Sequence, residues 1–477
     1  MLRNRFAATA SLPASRIISL VSLFAVLGIS KSPAQAQEPT PETPRAQTMQ
    51  PGPASAPEGL PDLHPKDAEC RKYDQYNTRI MSTIYLPSVC ETVYPSLFGL
   101  REWLADSGWG MQGTLSPVVD YDVRNRDNSG PQKYAGQNGS SGYVIGNVYA
   151  TYDLTRVGFS TGGQFTGSVS QMYSHDRAGE PPVMHPAVTT LGITQPLHDN
   201  AVELKAGYLL TIQDFVGMNL TGNAGSVAQG LSSVIPSLAG LSVYTPTPTA
   251  EITVKDPWTK KFYNHFGISR SISSSGAVGE LSQNRYGLRW RTPGTSALFI
   301  EEFGYKTDLS QEALPVWARA GFIYNTTDYT KYDGQTVDNN HAAYAGLTLQ
   351  LTSNGYGPGG LNLDIKVDYA PADRNMFTKD YAITLFSVGP FASRPFDMLS
   401  LAFSQTFESK DLQKMVTSFG VRNSSTLSTA GMISYSYRLT NGVYFVSTAS
   451  AVTNPGTVWN EKLPAALILD AKLLISF

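Results

Sequence analysis

The chain has 477 residues, a length compatible with up to about three soluble domains or with one larger unit. Charged residues make up only 16%, and the formal net charge of −2 gives no basic field, so nucleic acid is excluded as an expected partner. Beyond the N-terminus no run of 18 apolar residues exists, which excludes a helical membrane protein, while 42 glycines, 25 tyrosines and a mean hydropathy of −0.17 leave room for strands.

The N-terminus carries a basic region (Arg3, Arg5, Arg16), an apolar core from Ile17 to Ile29, and Ala34-Gln35-Ala36 before Gln37. This pattern predicts a signal peptide over 1–36, cleaved near Ala36. A membrane anchor is the weaker reading, because the core is short and interrupted by Ser19 and Ser22. Residues 37–66 are Pro-rich, with runs at Glu38 to Pro44 and Pro51 to Pro57, and are expected to form a disordered linker. Residues 67–108 are expected to be a periplasmic segment. Its cysteines, Cys70 and Cys90, are the only two in the chain, and export to an oxidising compartment predicts that they pair. Such a bridge is worth about 3 kcal/mol in the chain-entropy picture. A metal site there is not expected, since the two thiols lack nearby histidine partners. Leu97 to Ser107, with Phe98, Leu100, Trp103 and Leu104 and then Gly108 as a stop, predicts one short amphipathic helix seating or plugging the structure that follows.

After Gly108 strand alternation takes over. Met111 to Val123 opposes Leu115, Val119 and Tyr121 to Gln112, Asp120 and Asp122; Leu361 to Tyr369 opposes Leu363, Ile365 and Val367 to Asn362, Asp364, Lys366 and Asp368. Further candidates are 143–154, 157–173, 187–197, 201–211, 248–255, 261–272, 284–292, 297–306, 315–325, 341–352, 380–389, 397–407, 430–440 and 443–453. The chain ends on Ala465 to Phe477, which alternates throughout and closes on an aromatic. One face suits lipid and the other water, so 109–477 is predicted to be an all-β transmembrane antiparallel barrel in an outer membrane, whose last strand pairs with the first and whose Phe477 addresses the barrel-assembly machinery. Seventeen segments qualify, one more than an even-numbered barrel admits. Sixteen strands are therefore expected, with the surplus sought among the first three or between residues 297 and 397. His198-Asp-Asn200, Pro293 to Ser296 and Thr440-Asn-Gly442 read as tight turns, and 124–142, 174–186 and 212–245 as external or inward-folded loops.

Several stretches, in order, resemble the OprB-type carbohydrate-selective porins. They are Leu100 to Gly108; Leu191 to Phe215 through Gln195, His198-Asp-Asn200, Gly207 and Asp214-Phe215; Phe299 to Tyr305; Gly389 to Asp397 with Arg394-Pro395; and Asn454-Pro-Gly456 before the closing strand. The penultimate strand departs from the pattern, with Ser447 and Ser450 where a Pro and a Gln are expected. The resemblance implies passive diffusion of mono- and oligosaccharides, without a cofactor, by a monomer or homotrimer.

A sugar channel needs hydrogen-bonding groups that replace water and aromatic faces along which the ring slides. Strand candidate 284–292 places Arg285, Arg289 and Arg291 on one parity against Tyr286, Leu288 and Trp290, a cationic pore wall with aromatics toward lipid, unless the arginines simply pair with Glu301, Glu302 or Asp364. Candidate 315–325 sets Trp317 and Arg319 on one face, Trp317 being either a sugar-stacking platform or an interfacial girdle residue. Asp364 and Lys366 complete the expected lining. Catalytic signals are absent: Gly355 to Gly360 has G-x-G-x-x-G spacing but precedes a strand, no G-x-S-x-G elbow occurs, and His175, His185 and His265 lack ligand spacing. A polysaccharide exporter or a lipase-like barrel enzyme remain the alternatives.

Overall fold

The computed structural model describes residues 68–77, 88–125, 141–175, 183–216, 234–307, 314–354 and 359–477. The expected signal peptide and linker lie outside the described residues, as does most of the loop expected over 124–142.

The strands are β1 Trp109–Asp122, β2 Ser141–Asp153, β3 Gln164–His175, β4 Val183–Leu197, β5 Val202–Leu209, β6 Thr247–Lys255, β7 Phe262–Arg270, β8 Ala297–Thr307 and β9 Val316–Asn325. After a small hairpin, β10 Tyr329–Thr330 and β11 Thr336–Val337, come β12 Asn340–Gln350, β13 Gly360–Tyr369, β14 Phe377–Val388, β15 Met398–Glu408, β16 Leu427–Thr440, β17 Val443–Thr453 and β18 Ala466–Ser476. All but β10 and β11 join in one closed antiparallel ring of sixteen, in which β1 pairs with both β2 and β18. Closure leaves no strand edge unpaired, the condition for crossing lipid with β-structure.

The alternation read from sequence sets the two faces. In β18 Ile468, Asp470, Lys472, Leu474 and Ser476 are buried inward, while Leu469 and Ala471 are exposed outward. In β13 Asn362, Asp364, Lys366 and Asp368 turn inward against exposed Val367 and Tyr369. The seam is closed by the last residue: Phe477 and Gly113 exchange backbone hydrogen bonds of 2.8 and 2.9 Å, and the Phe477 ring lies over Gly113, where any Cβ would collide with it.

The surplus strand is 284–292, outside both ranges where it was sought. Those residues form an irregular loop after a helix at Gly276–Gln283, so Pro293 to Ser296 is no hairpin turn. Alternation over nine residues could not reveal that the neighbouring ladder is already occupied: β7 pairs directly with β8. Candidate 157–173 likewise begins late, at Gln164, after a 3-10 turn at Leu154–Val157.

One end of the barrel carries shorter connectors, including the His198-Asp199-Asn200 turn, whose three residues all have positive φ, and the Asn441-Gly442 hairpin. Both ends of the barrel sequence lie there, which marks the periplasmic side. The longer connectors, at 210–246 and 271–296, lie at the opposite end.

The predicted N-terminal helix is a 3-10 turn at Leu97–Gly99 continued by an α-helix at Leu100–Asp106 and stopped at Gly108, φ +87°. Its Arg101, buried, donates to the carbonyls of Tyr94 and Met111 and so ties the helix to β1. What reaches the periplasmic mouth is the preceding segment. Gln164 of β3 donates to the Asn77 carbonyl (3.0 Å), and Glu91 accepts from Arg438 Nε (3.0 Å) and Tyr444 Oη (2.9 Å). Cys70 and Cys90 are bridged, with Cα atoms 5.3 Å apart, which joins these two contacts into one covalent loop. Burial holds the nearby Asp74 carboxyl above the usual carboxylate range, although the Val89 N–H donates to it at 2.7 Å. Alkylation of the exported protein without reductant should find no free thiol by mass spectrometry. Reduction should loosen residues 68–93 to proteolysis and leave the barrel heat-resistant on gels, because the strand ladder closes without the bridge; two alkylated cysteines would overturn this.

Candidate functional site

The described parts of the 210–246 connector, 210–216 and 234–246, enter the barrel. The connector leaves β5 through a helical turn at Thr211–Asp214, contains a short helix at Val234–Leu238, and returns at Thr247. These residues are nearly all buried, and apart from Asp214 they carry no charge, so they occupy the interior without stranding ions there. At the neck Thr211 and Ser242 exchange side-chain to backbone hydrogen bonds of 2.9 and 3.0 Å, closing the loop on itself.

Strands β5, β7 and β9 hold it. Lys205 of β5 is ion-paired with Asp214. Phe215 stacks on the imidazole of His265 of β7, with centroids 3.9 Å apart and planes 10° from parallel, and His265 Nε2 lies 3.3 Å from Glu251 of β6. On β9 Arg319 Nε donates to the Val216 carbonyl (2.9 Å) and Asn325 Nδ2 to the Ala239 carbonyl (2.9 Å), while Tyr329 Oη of the β10 hairpin donates to Leu238 (3.3 Å).

Beside these tethers is a second inward cluster. Glu302 of β8, fully buried, accepts hydrogen bonds from Tyr263 Oη and Tyr344 Oη, each at 2.7 Å. Both tyrosine rings lie over glycines, Gly304 and Gly321, where a Cβ would meet the ring. Trp317 donates from Nε1 to Tyr263 Oη (2.8 Å), and the Arg319 guanidinium sits 3.7 Å from the Trp317 ring centroid. Farther round the wall Thr348 Oγ1 donates to Asp364 (2.5 Å), and Lys366 Nζ lies 2.7 Å from Asp368 and 3.7 Å from Asp380.

The sequence-derived lining is thus divided. Arg319, Asp364 and Lys366 point inward. Trp317 is inward too, but it is neither the sugar-stacking platform nor the girdle residue expected: none of its surface is exposed and its face is covered by Arg319. Arg285, Arg289 and Arg291 are not on a barrel strand at all; they lie exposed on the 284–291 loop. Their supposed acidic partners are engaged elsewhere, Glu301 with Asn264 (2.6 Å), Glu302 with the tyrosines and Asp364 with Thr348. Lys205, Glu251 and Tyr344 were missed, and Glu302 and His265 were named only as an arginine partner and as a histidine without ligand spacing. Each had the inward parity of its strand as a signal, but parity gives no hint of which inward residue the loop will reach. No group of three or more metal-ligating side chains occurs among the described residues.

A sequence model of the carbohydrate-selective porins, OprB family, matches residues 146–477. The chain belongs to this OprB family. A search of curated proteins finds no match. Among solved structures, the high-pH form of Pseudomonas putida OprB is similar with a TM-score of 0.67 at 16% identity, covering 80% of this chain and 97% of that one. The low-pH form of the same protein gives a TM-score of 0.50 at 14% identity, covering 84% and 100%. At such identities the structural likeness speaks for the fold, and the family match for the class of solute. The OprB assignment and the closed barrel place the chain in the bacterial outer membrane as a carbohydrate porin.

Proposed function

We propose that sugars pass through this OprB-family barrel by passive diffusion, and that the inward loop 210–246, tethered by Lys205, His265 and Arg319, sets the aperture. The observation that carries this reading is the run of contacts from Asp214 to Val216 to three different wall strands, which fixes a loop of low charge inside the lumen. In this reading Arg319, Asp364 and Lys366 line the route, and the Arg285, Arg289 and Arg291 pore wall is withdrawn. Cations around the loop have carboxylate partners: Lys205 has Asp214, and Lys366 has Asp368 and Asp380, while His265 lies against Glu251. A wall whose cations are paired and whose polar groups can replace water around a solute suits neutral polyhydroxyl molecules. No chemical step is needed, so the protein acts as a channel and not as an enzyme. Before assembly, export would remove the leader near Ala36, and assembly would yield a monomer or homotrimer.

Liposome swelling tests the reading. Proteoliposomes should swell faster in monosaccharides than in zwitterionic amino acids of similar size, and planar bilayers should show current block by sugar with weak ion selectivity. Equal swelling in both solute classes, or strong selectivity for ions of one sign, would overturn it.

A further inference from the structure

The displaced arginines occupy a defined place. Strand β4 has fifteen residues and β5 only eight, so their pairing stops at Leu191 with Tyr208 and the outer half of β4 lacks its ladder partner on that side. The 284–291 loop fills the gap. Val188 N–H donates to the Tyr286 carbonyl (3.1 Å), and Gly287, φ +81°, presses on the Val188 carbonyl where a Cβ would collide. Val188 lies five residues in from the end of β4, about 17 Å down the strand, so the loop descends along the wall instead of standing above it.

It descends on the outside. Tyr208 shares its parity with the exposed Leu204 and Ala206, opposite inward Lys205, and Trp290 meets Tyr208 edge-on at 6.4 Å. The loop is also held rigidly. Asn284 accepts the Arg289 N–H (2.9 Å) and donates to Glu280 (3.1 Å), and the fully buried Glu280 is paired with Arg270 (2.6 Å). Along this fixed segment exposed cations alternate with exposed apolar side chains: Arg285, Tyr286 (61% exposed), Leu288, Arg289, Trp290 (66%) and Arg291. Among the described residues none of the three arginines takes part in an ion pair, unlike Arg270 and Arg319 nearer the interior, which have a carboxylate and a carbonyl partner.

We infer that this segment is a docking site for a phosphate-bearing glycolipid of the outer leaflet. The arginine forks take the phosphates, and Tyr286, Leu288 and Trp290 pack against the acyl chains. Charge complementarity argues for this occupant: a second copy of the chain would have to bring matching carboxylates, whereas an anionic glycolipid carries phosphates of its own. Guanidinium groups recognise phosphate bidentately and can reach the head-group level from apolar surroundings. The inference rests on the outer-membrane orientation and not on the sugar route.

The test is native mass spectrometry of the detergent-purified full chain, titrated with bis-phosphorylated lipid A and with its dephosphorylated counterpart. The wild type should retain the phosphorylated form preferentially. The triple variant Arg285→Gln, Arg289→Gln, Arg291→Gln should lose that retention by roughly a hundredfold, as three cations near an anionic surface imply. The corresponding triple Lys variant, which keeps the charge and loses the fork, should fall between the two, and heat-resistant migration on gels checks that each variant is folded. Sugar swelling should be the same in all. Unchanged retention in the Gln variant would overturn the proposal. So would altered ion selectivity, which would return the arginines to the lumen, or a dissociated oligomer with intact lipid retention, which would assign the face to a second copy.

Discussion

Deletion of Phe477 should abolish most heat-resistant barrel in the outer membrane, with the chain accumulating in the periplasm. The last residue takes part in both backbone hydrogen bonds that join the seam to Gly113, and its ring fills the space that Gly113 leaves open. Losing it exposes Gly113 N–H and C=O in the membrane, where an unsatisfied backbone group costs several kcal/mol. The same logic predicts that Gly113→Val, which leaves the terminal aromatic in the chain but expels it from its seat, reproduces much of the defect. Immunoblots of membrane fractions with and without heating provide the measurement. Normal yield of heat-resistant barrel in the deletion would mean that closure does not depend on this residue.

The other large effect is expected from releasing the inward loop. Combining Arg319→Ala with Phe215→Ala removes a charge-assisted hydrogen bond to the Val216 carbonyl and a stacked ring pair with His265. Together these contribute about 2–4 kcal/mol. The loop's tethered population should fall relative to released states by roughly thirtyfold to several hundredfold. In planar bilayers single-channel conductance should rise and become noisy, and sugar block should weaken. A double variant with wild-type conductance and block would remove the loop from the aperture.

The sequence alone determined the fold, because a barrel crossing lipid obeys a rule of period two with a hard penalty. Each wall strand must present one face to lipid and one to a polar interior, and a one-residue slip reverses every side chain, so the inward sets of β13 and β18 could be read directly from Leu361 to Tyr369 and from Ala465 to Phe477. The Cys70–Cys90 bridge was legible for an equally simple reason, there being no third cysteine. Alternation is a local property, however, and the site depends on contacts far apart in the chain. That Arg319 would meet Val216, 103 positions away, or that Phe215 would find His265, depends on where the chain turns inward after β5, for which no periodicity exists. The 284–292 segment shows the limit most clearly: its alternation is real, but β7 and β8 had already paired, and the place left for it was the gap beyond the end of β5, an opening created only by the unequal lengths of two strands.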